Sequence, residues 1–335
     1  MVVMLMKIFF IKYWRIALLV VSALALSGLF FGFGYAQGLR NLDNNVEKKI
    51  ELHESGYRFI SPLLECQTRP SYRNNLLVLK RELEDSIDEA ADKNHIFEAS
   101  VYLRDLNNGP WIGINESAKF SPASLMKVPI MISYFKWAEF DPSILKKKIK
   151  VVLDAEDTFS QNIIPSEVVV TGQEYTVEDL IIRMLKYSDN LAANTLIQNA
   201  DLDLLDKVYF DLGIHIPLNG GENFLTVHDY ASFFRILYNS SYLNREMSEL
   251  ALKILSQTEY QEGIVAGVPS YVTVAHKFGE RRVGDALQLH DCGIIYRANN
   301  PYLLCVMTRG DNFTEMKSLI QELSAKTFQS YGVGF

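Results

Sequence analysis

Apolar positions along this chain switch between two periods. From residue 75 to 93, Leu79, Leu83, Ile87 and Ala90 recur at helical spacing, which predicts an amphipathic helix. Phe97 to Leu106 alternates instead, with Val101 and Leu103 on one face. Asn107-Asn108-Gly109-Pro110 then signals a turn and Trp111 to Ile114 a second strand, so a hairpin is expected. The middle of the chain reads as helical. Helices are predicted over 124–139, from Thr176 as N-cap with Asp179 three residues on, and over 190–199, 202–212, 227–238 and 244–256. From residue 271 the period returns to two. Val272–Lys277, Ala286–Arg297 and Tyr302–Thr308 read as strands, with Asn299-Asn300-Pro301 as a turn, and Phe313–Tyr331 as a terminal helix. Strands at both ends with helices between them predict an α/β fold of the α+β type. It would have an antiparallel sheet of about five strands, flanked by the terminal helices, with an all-helical subdomain inserted.

The N-terminus follows a different pattern. Lys7, Lys12 and Arg15 precede an uncharged run from Ile16 to Leu39. About 20 apolar residues cross a bilayer as a helix, so one transmembrane signal-anchor is expected within residues 1–39. Its cationic flank would stay in the cytoplasm and the rest of the chain outside, at the membrane surface. Gly34-Tyr35-Ala36 offers a weak cleavage site, which leaves a removed signal peptide as the alternative. Residues 40–74 are charged at first and then hold Pro62 and Pro70. They read as a juxtamembrane spacer, and 75–335 as the folded domain. The expected location is membrane-anchored with the domain extracytoplasmic.

Composition narrows the function. The chain is 48% hydrophobic and 22% charged, which excludes wholesale disorder. A net charge of −7 and a single basic run, Lys146-Lys147-Lys148-Ile149-Lys150, argue against nucleic acid as a partner. Cys66, Cys292 and Cys305 form neither a disulfide framework nor a zinc pattern. Cys292 and Cys305 fall on consecutive predicted strands; whether they bond is not readable from sequence. The histidines, at 53, 95, 215, 228, 276 and 290, are scattered without ligand spacing. No metal or cofactor is expected.

Candidate chemistry lies in three triplets. Ser-x-x-Lys occurs three times, at Ser124/Lys127, Ser133/Lys136 and Ser143/Lys146, and alone says little. Ser188-Asp189-Asn190 and then Lys277-Phe278-Gly279, in a strand-like run, follow downstream, and the Phe120-Ser-Pro-Ala context singles out the first copy. A serine hydroxyl needs a base to become a nucleophile. On a helix, positions three apart share a face, so the Lys127 amine is within reach of Ser124. Burial lowers a lysine pKa, which lets the amine accept a proton. Backbone amides at a helix start can also hold an oxyanion.

The order S-x-x-K, S-D-N, K-x-G resembles the active-site set of the class A β-lactamases and penicillin-binding proteins. Phe120-Ser-Pro-Ala-Ser-Leu-Met-Lys-Val-Pro129 and Ser188-Asp-Asn-Leu-Ala-Ala-Asn194 are similar to that family's first two motif segments. The resemblance covers about residues 75–335. It implies an extracytoplasmic serine hydrolase that forms an acyl-enzyme on Ser124 with a β-lactam or a peptidoglycan-like peptide amide. Lys127 would be the base, and Ser188 would carry a proton to the leaving nitrogen. Asn190 would hold substrate and Lys127, and Lys277 would face a substrate carboxylate. Gly279 would admit the substrate backbone, and the Glu280 N–H would be the second oxyanion donor beside that of Ser124. A D-alanyl-D-alanine peptidase and a catalytically weak, anchored binding module are the alternatives.

Two departures bear on the reaction. Phe278 stands where the family has Thr or Ser, so a hydroxyl for the substrate carboxylate is missing; His276, Arg281 and Arg282 are the candidates to replace it. The family's long loop with its deacylating Glu shrinks here to about a dozen residues between Gly213 and Val227, with Glu222 and Asn223 adjacent. Glu222 is the candidate base, and a solvated loop-tip glutamate is its bland reading.

Overall fold

The computed structural model describes residues 47–70, 74–93, 95–153, 161–216 and 222–331. The chain divides into two compact units. One is residues 1–48 with 68–71, of which only the ends of two strands, β1 (Glu47–His53) and β2 (Leu63–Pro70), are described. The other, residues 49–67 with 72–335, holds everything that follows.

The predicted period-two segments build one sheet. Its strands are β3 (Ile96–Asp105), β4 (Trp111–Ile114), β9 (Val274–Val283), β10 (Ala286–Ile295) and β11 (Tyr302–Gly310), in the order β4-β3-β11-β10-β9 and antiparallel throughout. Among the described residues the first and last helices, α1 (Asn74–Asp92) and α8 (Phe313–Ser330), cover one face. Leu79, Leu83, Leu319 and Leu323 from these helices are buried together with Val101, Leu103, Leu304 and Val306 from the sheet. The alternate residues Tyr102, Leu303, Cys305 and Met307 bury against the helical layer on the other face. Central strands covered on both sides lose the simple inside/outside alternation, and eight of the nine residues of β11 are buried.

The helical layer consists of α2 (Lys127–Ala138), α3 (Val177–Lys186), α4 (Asn190–Gln198), α5 (Leu202–Asp211), α6 (Val227–Tyr238) and α7 (Arg245–Leu255). Thr176 and Asp179 form the reciprocal capping box that the sequence suggests, and Thr226 with Asp229 forms a second. Two short pairings add to the sheet: β5 (Lys119–Phe120) with β8 (Leu225–Thr226), and β6 (Lys148–Lys150) with β7 (Glu174–Thr176). Two or three residues carry too little periodicity to be seen in sequence.

Two expectations change. Among the described residues no helix is long and apolar enough to cross a membrane. Among the described residues the fold is the five-stranded α/β sandwich, with no transmembrane helix in it; the run expected to form one, 16–39, lies outside them. Part of the expected spacer is built into the domain. Glu249 on α7 accepts the N–H groups of Arg58, Phe59 and Ile60 at 3.0–3.2 Å, and Ser61 N donates to Tyr238 O at 2.7 Å. Phe59 and Ile60 are buried in the same core as the helical layer.

Candidate active site

Ser124 lies in a 3-10 turn, Ala123–Met126, and Lys127 is the first residue of α2. In a 3-10 turn side chains three apart eclipse, which stacks lysine over serine more closely than an α-helix would. The Lys127 ammonium nitrogen is 3.0 Å from Ser124 Oγ. The same nitrogen meets Ser188 O at 2.7 Å, Ser188 Oγ at 3.0 Å and Asn190 Oδ1 at 2.7 Å. From the opposite side Lys277 Nζ donates to Ser188 Oγ at 3.0 Å and to Phe278 O at 2.8 Å. Three segments separated by up to 150 residues thus converge on one hydroxyl and one amine. The other two Ser-x-x-Lys copies lie elsewhere: Ser133 Oγ bonds Ile130 O, and Ser143 caps onto Asp141.

Burial sets the electrostatics. Lys127 is 4% exposed, and desolvation lowers its pKa from 10.5 to about 7 against the attraction of Asp189 and Glu280. Lys277 is fully buried, and desolvation, reinforced by the Lys127 charge, holds its pKa well below the usual lysine value. An amine that is half neutral near pH 7 and in hydrogen-bond range of a serine is equipped to take its proton.

The backbone is set to allow this contact. Ala123 and Ser188 have φ of +48° and +59°, a left-handed region that non-glycine residues occupy at a cost of about 1 kcal/mol or more. The turn at Ser188 lets its carbonyl and hydroxyl both face Lys127. The helix-opening cap belongs not to Ser188 but to Asp189, whose Oδ1 accepts from Leu191 N and Ala192 N. Asp189 Oδ2 also takes Val169 N at 2.7 Å, which fastens the loop before α3 to the second motif.

The nucleophile turn is held by strand β10. Gln288 Oε1 accepts Ser121 N at 2.9 Å, and His290 Nε2 donates to Ser121 O at 2.9 Å. Burial lowers the His290 pKa to about 4, so the ring is neutral and its Nε2 carries the proton. His290 pairs in register with Gly279 on β9. A Cβ on Gly279 would sit 3.0 Å from Leu125 Cγ and 3.1 Å from both Leu125 N and Pro122 O. Glycine there lets the edge strand press directly against the turn that carries Ser124. Sequence reasoning gave this glycine to substrate access; the contact in the structure is with the nucleophile turn itself.

Several residues settle away from their suggested roles. His276 is buried and bonds Asp291 through Nδ1 at 2.8 Å, whereas Arg281 pairs with Glu222 at 2.8 Å. Asn223 Oδ1 accepts from Gln288 Nε2 at 2.8 Å. Glu280 places its carboxylate on the 161–163 segment, accepting Asn162 Nδ2 at 2.7 Å and Ile163 N at 2.5 Å, while Gln161 Nε2 reaches Ser188 O at 3.2 Å. Sequence reasoning missed Gln288 and the 161–163 strap, read His290 only as a satisfied sheet histidine, and gave Asp189 no role of its own within its motif. Only Asp189 had a local signal, as an acidic residue at a helix start.

Comparison with known proteins agrees with this geometry. The Beta-lactamase enzyme family matches residues 80–331. Among solved structures the fold is similar to PBP-A, with a TM-score of 0.62 at 20% identity over 76% of this chain and 96% of that one. It is similar also to a beta-lactamase from Sphaerobacter thermophilus DSM 20745, with a TM-score of 0.62 at 22% identity over 74% and 96%. A class A beta-lactamase from Mycobacterium abscessus gives 0.62 at 20% identity over 75% and 99%. No curated protein matches the chain. With the family matched across the whole sheet-and-helix domain, the chain belongs to the Beta-lactamase enzyme family and is a serine hydrolase.

Proposed function

We propose that Ser124 forms an acyl-enzyme with a β-lactam or a related cell-wall peptide amide. The observation that carries this reading is the buried Lys127 amine, with a pKa near 7, at 3.0 Å from Ser124 Oγ. Neutral Lys127 takes the hydroxyl proton as Oγ attacks the carbonyl carbon. The backbone N–H groups of Ser124 and Glu280 hold the oxyanion that forms. Ser188, hydrogen-bonded to both lysines, passes a proton to the nitrogen as the C–N bond breaks, which leaves an ester on Ser124. Asn190 orients Lys127 and the substrate. The similarity of the fold to a PBP-A mutant in acyl-enzyme complex with penicillin-G, at 19% identity and a TM-score of 0.63, is compatible with such an ester.

A penicillin-binding or peptidase role is favoured over efficient β-lactam hydrolysis. The one carboxylate suggested for deacylation, Glu222, is engaged by Arg281, and its neighbour Asn223 by Gln288. The reading includes an extracytoplasmic location, supported by the disulfide between Cys292 and Cys305, since such bonds persist in oxidising compartments.

Intact-protein mass over time after addition of penicillin-G, with Ser124→Ala as control, tests the proposal. A persistent adduct absent from the control is the expected result. A transient adduct with hydrolysed drug would make it a β-lactamase. No adduct would remove the acyl-enzyme reading for carboxylated β-lactams.

A further inference from the structure

The residues around Ser124 receive a carboxylate poorly. Substrates implied by the family resemblance present one to the third motif, where a lysine charge and a neighbouring hydroxyl await it. Here Phe278 supplies no hydroxyl. Its ring centroid lies 3.9 Å from Lys277 Nζ and 4.3 Å from that of Tyr260, with the two rings tilted by 34°. Lys277 has no exposed surface, and its nitrogen is committed to Ser188 Oγ and Phe278 O. The next cation along β9 on the same face, Arg281, has its guanidinium on Glu222. The residue between them in sequence, Glu280, adds a negative charge, fixed by Asn162 Nδ2 and Ile163 N and felt at both lysines.

We infer that the acyl donor of Ser124 is a neutral one, carrying an amide or ester where a carboxylated β-lactam carries its free acid. An uncharged group avoids repulsion from Glu280. A carboxylate would have to be desolvated beside Glu280, with no hydroxyl at 278 to receive it and Arg281 already held by Glu222. Burial lowers the pKa of both lysines, which weakens their hold on an anion. This inference rests on the acyl-enzyme reading and specifies its substrate class.

The test compares penicillin-G with its methyl ester on the full-length protein, following the Ser124 adduct by intact mass at pH 7.5. The ester should acylate at least tenfold faster than the acid. Glu280→Gln and Phe278→Thr should each raise the rate of the acid relative to that of the ester several-fold. An acid that reacts as fast as the ester in the unaltered protein overturns the inference and leaves the acyl-enzyme reading intact. Absence of an adduct from both compounds removes the acyl-enzyme reading and this inference with it. The comparison within the unaltered protein decides the matter even if a buried Phe278 variant fails to fold.

Discussion

Replacing Lys127 by Arg separates a general base from a structural cation. A lysine with its ordinary pKa of 10.5 is neutral in only about one molecule in 3,000 at pH 7, whereas one lowered to about 7 is neutral in roughly half. Burial therefore raises the population of the proton-accepting form by about 1,500-fold, comparable with the usual contribution of a positioned base. Arginine keeps a cation of similar reach but stays protonated. Acylation of Lys127→Arg at pH 7 should fall by about a thousandfold. In the unaltered protein the acylation rate should rise with pH, be half-maximal near pH 7, and fall about tenfold per pH unit below it. Stopped-flow or quenched-flow acylation from pH 5.5 to 8.5 measures both, with circular dichroism to confirm folding. A rate flat across that range, or an Arg variant within tenfold of the original, would refute Lys127 as the base. The same depressed pKa has a stability consequence. Between pH 7 and 10.5 the unfolded chain holds a proton that the folded chain lacks, so stability rises with pH across that window.

Three other perturbations have clear expectations. Gly279→Ala pushes a methyl group against Leu125 and Pro122 O, so acylation should drop ten- to a hundredfold while the melting temperature moves by only a few degrees; an unchanged rate would show that the turn can yield. Reduction of the Cys292–Cys305 bond, which closes a loop of 13 residues, should lower stability in urea titrations by about 3 kcal/mol, and a change below 1 kcal/mol would count against the chain-entropy account. Glu249→Ala leaves the N–H groups of residues 58–60 without their acceptor; it should cost about 2 kcal/mol and expose the chain near residue 58 to limited proteolysis, whereas an unchanged digestion pattern would show that Phe59 and Ile60 suffice as anchors.

The sequence alone determined the elements and the three motifs. Periods of two and 3.6 are local properties, so the five strands, the terminal helices and the helical middle could be read from side chains a few positions apart. Ser124, Lys127, Ser188, Asn190 and Lys277 were legible because each sits in a short string of unusual composition. The tertiary structure decided what depends on residues distant in the chain. It brought Lys277 to Ser188, gave Arg281 to Glu222, and used Gln288 and His290 to grip Ser121 from a strand more than 160 residues away. It also gave Lys127 its pKa, because desolvation depends on what surrounds the amine in space. Charge state, backbone strain at Ala123 and Ser188, and the close approach at Gly279 arise only when the sheet and the helical layer pack, and no window along the sequence contains both partners.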